Sequence, residues 1–246
     1  MLVEISPSGR PTEKPPLFCV HTLGGNLFHY YELARHLAPD QPVFGLQARG
    51  MYGSSNPDVS VESISTAAIA AMREVQPRGP FQIAGYSSGG VVAFEMAQQL
   101  RNEGERVTLA ILDTYIYPYP YVGNHRALLR SFREADNWRA KQEIIYFWGL
   151  SLLRLGRLRK LREVGEAQRW AHWSYVPGVY PGDAHLFYAT DNRAQLDDPH
   201  LGWDRFIGGD ITVHNVPGGH GLMVKAPAVQ VLADKLQALL APSTPN

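Results

Sequence analysis

The chain has 246 residues, of which 45% are hydrophobic, 11% aromatic and 19% charged, enough apolar material for one large buried core and too much for a disordered chain. Its 23 Lys and Arg balance 23 Asp and Glu, which argues against nucleic acid as the main partner, and its single cysteine, Cys19, rules out an internal disulfide framework and a CxxC metal site. No apolar run approaches the ~18–20 residues of a membrane span and the N-terminus has no signal-type stretch, so a soluble, cytoplasmic protein is expected.

Residues 1–16 are polar and rich in Pro and Gly, and read as a linker. The apolar run at 17–20 reads as a buried strand that ends at a Gly-rich loop, 21–25. An amphipathic segment follows at about 28–37, then a second strand at 42–46. Residues 60–75 read as a helix, with Ser60 or Ser63 as cap and Glu62 in the first turn. A strand at 81–84, a helix at 91–100 and a strand at 107–112 complete the first half. Strands alternating with helices imply βαβ units and a mostly parallel sheet, an α/β fold class.

The alternation stops at Asp113. Residues 116–181 are expected to be helical, aromatic and basic, with 11 Lys and Arg against 5 Asp and Glu, whereas the remainder carries 12 against 18. Strands resume at 184–189 and 211–213. A final helix at about 227–240 places Val229, Leu232, Leu236 and Leu239 at helical spacing, and residues 241–246 read as a frayed tail. The main domain is therefore expected over 17–240.

The strand at 81–84 runs into Gly85-Tyr86-Ser87-Ser88-Gly89-Gly90, with a helix beyond. This is G-x-S-x-G in its strand–turn–helix setting. A sharp turn lifts Ser87 above the sheet, and the glycines remove side chains that would collide there. Ser88 supplies a backbone N–H at a helix start, where the dipole favours a developing oxyanion. A serine nucleophile needs a base. His220 sits in a loop with Gly218, Gly219 and Gly221 between the last strand and the last helix. His21 reads as a loop-shaping residue and His214 as structural; His29, His36, His125, His172, His185 and His200 read as surface or satisfied core residues.

Two carboxylates are candidates to orient the base. Asp113 ends the strand after the Ser87 helix, and Asp191 follows the next strand. Asp113 is favoured because a clean buried strand delivers it, whereas Asp191 lies in a polar turn; Asp191 stays as the alternative acid. The second oxyanion donor is expected in the loop after the first core strand, from the Leu23 N–H, with Thr22 as the alternative. The glycines there permit close approach of a substrate.

The runs PPLFCVHTLGG, PVFGLQARG, GYSSGGVVAFEMAQQL, ILDTY, YPGDAHLF, DPHLGW and VPGGHGLM occur in this order. Over about residues 2–240 the chain resembles the thioesterase domain that ends nonribosomal peptide and polyketide assembly lines. The resemblance implies an α/β-hydrolase fold with a helical lid inserted at about 116–181. It implies an enzyme that takes an acyl or peptidyl chain from the phosphopantetheine arm of a carrier protein and releases it by hydrolysis or cyclisation. Ser87 would then be the acylated nucleophile, His220 the base and Asp113 the acid, with no metal and no cofactor beyond the arm that delivers the substrate. The carrier protein is the expected partner, as the preceding domain of a multidomain synthase, a placement that the linker-like N-terminus favours. A freestanding editing thioesterase and a generic serine esterase are the alternatives.

Arg154, Arg157, Arg159, Lys160 and Arg162 fall within nine residues, interleaved with leucines. Such a segment can turn its leucines towards the cavity and leave its cations outside. Carrier-protein docking is expected there, against a lid whose charges merely keep it soluble.

Overall fold

The structure is a computed structural model, and it describes residues 1–6, 14–37, 39–52, 55–116, 163–191 and 198–241. Seven strands form one sheet: β1 (Leu2–Glu4), β2 (Leu17–Val20), β3 (Val43–Leu46), β4 (Phe81–Tyr86), β5 (Val107–Leu112), β6 (Ala184–Ala189) and β7 (Ile211–Val216). Their order across the sheet is β1-β3-β2-β4-β5-β6-β7. Every pair is parallel except β1 with β3. Every residue of β2 and β4 is buried. That is the burial of parallel strands covered on both faces, and it explains why β2 is an unbroken apolar run and β4 is apolar but for Gln82.

Helices cover both faces. On one, α2 (Val61–Arg73) and α3 (Gly89–Asn102) pack Ile64, Ile69, Met72, Phe94 and Met96 against Phe18, Phe81 and Ile83. On the other, α1 (Phe28–His36) and α5 (Ala228–Leu240) pack Tyr30, Leu33, Leu232 and Leu236 against Leu17, Cys19 and Leu112. The α2 start is set as expected: the Ser60 hydroxyl accepts from the Ser63 N–H at 3.1 Å, with Glu62 in the first turn. Burial holds Cys19 in its thiol form by raising its pKa.

Three expectations are corrected. The stretch 1–16 is not linker throughout, because Leu2–Glu4 forms β1, antiparallel to β3 with Leu2 opposite Leu46. Three residues are too few to show a period of two, and the polar residues after them mask the signal. Within 116–181 the described part holds one helix, α4 (Val164–Ser174). Residues 175–181 form no helix, and Tyr180 pairs with the 206–208 segment through Tyr180 N–H to Phe206 O at 2.8 Å and Gly208 N–H to Tyr180 O at 2.7 Å. Pro177, Gly178 and Pro181 end the helical tendency there. Residues 117–162 lie outside the described set. Finally, α3 begins at Gly89 rather than at 91, and β7 runs to Val216.

Because the strands are parallel, the ends of β4, β5, β6 and β7 point to one edge of the sheet. The residues that leave those ends can meet. A buried anchor fixes the exit of β5: Trp203, fully buried in a 3-10 turn at Trp203–Arg205, donates its indole N–H to the Thr114 carbonyl at 2.7 Å. Removing a buried indole of this kind costs about 3–5 kcal/mol.

Candidate active site

Ser87 follows β4 directly and has φ +54, a conformation that non-glycine residues seldom adopt and that neighbours must hold. They do so from three sides. Ser87 N–H donates to Leu112 O at 3.0 Å, Gly90 N–H donates to Ser87 O at 3.0 Å, and the Thr114 hydroxyl donates to the same carbonyl at 2.6 Å. The turn also needs its glycines. A Cβ on Gly85 would overlap the Gly89 carbonyl, and a Cβ on Gly89 would come within 2.7 Å of Val20 O and 2.8 Å of His21 O. This last approach presses the start of α3 against the end of β2. It brings Ser88, the residue before α3, beside the loop that carries Leu23.

His220 lies in the loop after β7. Its Nε2 is 3.1 Å from Ser87 Oγ and its Nδ1 is 2.6 Å from Asp113 Oδ2. A carboxylate can only accept, so Nδ1 carries the proton and Nε2 presents its lone pair to the Ser87 hydroxyl. Asp113 is buried, with φ +45. Its Oδ1 accepts the Ala189 N–H at 2.9 Å and its own N–H donates to Phe187 O at 2.7 Å. β6 thus orients the carboxylate before the histidine reaches it. Asp191 is exposed. Its carboxylate takes the Thr190 hydroxyl at 3.4 Å, and its contribution to the histidine loop is a backbone bond, Asp191 N–H to Gly218 O at 3.2 Å. Of the two candidate acids, the one at the His220 ring is Asp113.

The loop after β2 is folded tightly, with Gly25 N–H donating to Thr22 O at 2.7 Å. α4 lies over it: a Cβ on Gly25, whose φ is +75, would come within 2.7 Å of Val164 Cγ1. His21 is 3% exposed, its Nδ1 is 3.0 Å from Thr22 O, and burial lowers its pKa to about 4. It is therefore neutral and part of the loop's scaffold. Leu23 is exposed, and Thr22 is its neighbour in the same turn.

Sequence reasoning missed two supports. Tyr86, the variable residue inside the motif, stacks on the His220 ring with centroids 4.9 Å apart and donates its hydroxyl to the His220 carbonyl at 2.6 Å. His172 on α4 lies with its ring nitrogens 2.7 Å from Gln168 O and 2.9 Å from Ser88 O. Neither position carries a motif signal. His185 and His214 face each other across β6 and β7 at 3.2 Å, and His214 stacks on Phe187. Arg154, Arg157, Arg159, Lys160, Arg162 and His125 lie outside the described residues. Among the described residues no group of three or more His, Cys, Asp or Glu is placed to hold a metal ion, and no helix is long and apolar enough to cross a membrane.

The thioesterase-domain family model matches residues 15–240. Malpibaldin synthetase of Mortierella alpina is 30% identical over 237 residues, which cover 89% of this chain and 4% of that protein. A dimodular nonribosomal peptide synthase of Bacillus subtilis is 42% identical over 104 residues, covering 42% of this chain and 4% of its own length. The chain thus spans a small fraction of these relatives. Among solved structures, a four-domain nonribosomal peptide synthetase bound to AMP and glycine aligns with 99% of this chain and 20% of its own, at 25% identity and TM-score 0.74. The NocB thioesterase domain of the nocardicin cluster aligns with 97% of this chain and 98% of its own, at 24% identity and TM-score 0.68. This last likeness is one of fold, and the fold is the α/β hydrolase.

Proposed function

The chain belongs to the thioesterase domain family, and on that premise we propose that it releases an acyl or peptidyl chain from a carrier-protein phosphopantetheine thioester through a Ser87 acyl-enzyme. The observation that carries the proposal is the line of contacts from Asp113 through His220 to Ser87, 2.6 Å and 3.1 Å long, with the histidine tautomer set by the carboxylate. In this reading Ser87 Oγ attacks the thioester carbonyl while His220 Nε2 takes its proton, and Asp113 stabilises the imidazolium. The backbone N–H groups of Ser88 and Leu23 receive the oxyanion. Collapse breaks the C–S bond, and His220 returns its proton to the departing thiol. Water or a nucleophile within the chain then attacks the ester, with His220 again as base.

Two features favour chain release, the first over cleavage of diffusible esters and the second over an editing enzyme. The relatives are multidomain synthetases in which this chain's counterpart is a small part. The carboxylate at His220 is Asp113 rather than Asp191, the position that editing thioesterases resembling this chain use. The basic run Arg154, Arg157, Arg159, Lys160 and Arg162 is proposed to meet an acidic carrier protein, by long-range attraction that salt weakens. The experiment compares kcat/KM on a carrier-bound thioester and on a small thioester mimic, before and after reversing Arg157, Arg159 and Arg162 to Glu. A several-fold loss confined to the carrier-bound substrate supports the proposal. Equal rates on carrier-bound thioesters and simple oxygen esters would make the chain a generic esterase.

A further inference from the structure

We infer that Tyr86 is a positioning residue that locks His220 to the nucleophile turn, through its ring and its hydroxyl together. This rests on the Ser87–His220 reading above. The His220 loop carries Gly218, Gly219 and Gly221, and Gly218 has φ +92. Glycine-rich backbone has more freedom to lose than any other. A Cβ on Gly221 would meet nothing within 4 Å, so packing does not confine this side of the loop.

Something else must hold the imidazole to within a fraction of an ångström, because a misplacement of about 1 Å costs on the order of 10²-fold in rate. Tyr86 makes two separate contacts that do so. Its hydroxyl donates to the His220 carbonyl at 2.6 Å, which fixes the backbone of the residue. Its ring lies nearly parallel to the imidazole, at 21° and 4.9 Å, which fixes the side-chain torsion. Asp113 supplies the third constraint, at Nδ1.

Tyr86 is itself held. It is 2% exposed at the end of β4, and its N–H donates to the Tyr30 hydroxyl at 2.8 Å, which donates to Val20 O at 2.7 Å. The His29 ring of α1 also packs on it, tilted by 58° with centroids 5.1 Å apart. Because Tyr86 is the neighbour of Ser87, the base and the nucleophile are referenced to one short piece of backbone. The stacked ring also presents its electron-rich face to the imidazolium that forms when Ser87 is deprotonated, a favourable cation–π contact. Among the described residues, Asp113 at the end of β5 contacts the imidazole, and His29 on α1 is close enough to feel the charges of both His220 and Lys225.

The test uses the whole chain and a small thioester, with Tyr86→Phe, Tyr86→Leu and Ser87→Ala in parallel. Tyr86→Phe keeps the ring and loses the donor; it is expected to lower kcat about fivefold to tenfold with little change in KM and an unshifted pH profile. Tyr86→Leu loses both contacts; it is expected to lower kcat about 100-fold and to move the acid limb of kcat/KM down by about half a unit. Wild-type kcat in Tyr86→Phe overturns the inference, even where Tyr86→Leu does not fold. A folded Tyr86→Leu with an unmoved acid limb also overturns it. Activity surviving in Ser87→Ala instead overturns the underlying nucleophile assignment, so the two failures are separable.

Discussion

His172 Nε2 lies 2.9 Å from the carbonyl oxygen of Ser88, so one histidine joins α4 to the turn that presents Ser87. Its Nδ1 lies 2.7 Å from Gln168 O on its own helix. A neutral ring has one N–H and serves one carbonyl at a time, and burial lowers the pKa of this ring, keeping it neutral. At the end of the helix, the Tyr175 hydroxyl donates to Glu95 Oε2 on α3 at 2.6 Å. His172→Leu is expected to lower stability by about 1–3 kcal/mol and to speed amide exchange over residues 164–174. His172→Gln, which keeps a donor, should lose less. Urea denaturation and hydrogen exchange check both, and identical losses in the two variants would contradict a hydrogen-bonded anchor.

Asp113→Asn and Asp191→Asn should differ greatly. The first keeps the shape of the carboxylate at 2.6 Å from His220 Nδ1 but can stabilise the wrong tautomer, which in a serine protease lowers kcat by ~10⁴. The second leaves untouched the backbone bond by which Asp191 supports Gly218, so kcat should stay close to wild type. Steady-state kinetics on a small thioester decides. A crippled Asp191→Asn would reverse the acid assignment.

Two glycines should respond oppositely to alanine. A Cβ on Gly85 would overlap backbone atoms of Gly89, which no rotamer change can relieve, whereas one on Gly221 would meet nothing within 4 Å. Gly85→Ala is expected to lose ~3 kcal/mol of stability, and Gly221→Ala to stay within about 0.5 kcal/mol. Thermal melts read the difference.

Stability should fall in mild acid. Burial lowers the pKa of His21 to about 4 from an ordinary 6.5. Between these values the unfolded chain binds more protons than the folded one, so this contribution is complete above pH 6.5 and is lost as the pH falls towards 4. From pH 7 to pH 5 it amounts to about 2 kcal/mol. His21→Asn removes it. The stability gap between wild type and variant, read from urea midpoints, should therefore narrow by that amount over this range. A constant gap would mean that the folded protein accepts the proton.

The strand–helix order, the Ser87 turn and the three residues that meet there were legible because each has a local sequence cause. Buried parallel strands are mostly apolar, the turn demands glycine at 85 and 89, and the His220 loop is glycine-flanked. Tyr86 and His172 were not legible, since their roles depend on what folding brings opposite them: a carbonyl 134 residues away for one and 84 for the other. β1 was missed because its three residues gain their meaning only from pairing with β3. The choice between Asp113 and Asp191 was half legible. Both follow strands at the correct edge, and burial, the Ala189 N–H to Asp113 Oδ1 bond and the His220 contact separate them.

In the proposed mechanism Ser87 carries the acyl chain between two transfers. Intact-protein mass spectrometry after brief mixing with a phosphopantetheine-type thioester tests it most directly, with peptide mapping of any adduct. One acyl group per chain is expected, mapped to Ser87, decaying as product appears, absent in a folded Ser87→Ala variant and slow to form in Asp113→Asn. An adduct of equal mass and rate in Ser87→Ala, or one mapped to another residue, would contradict it.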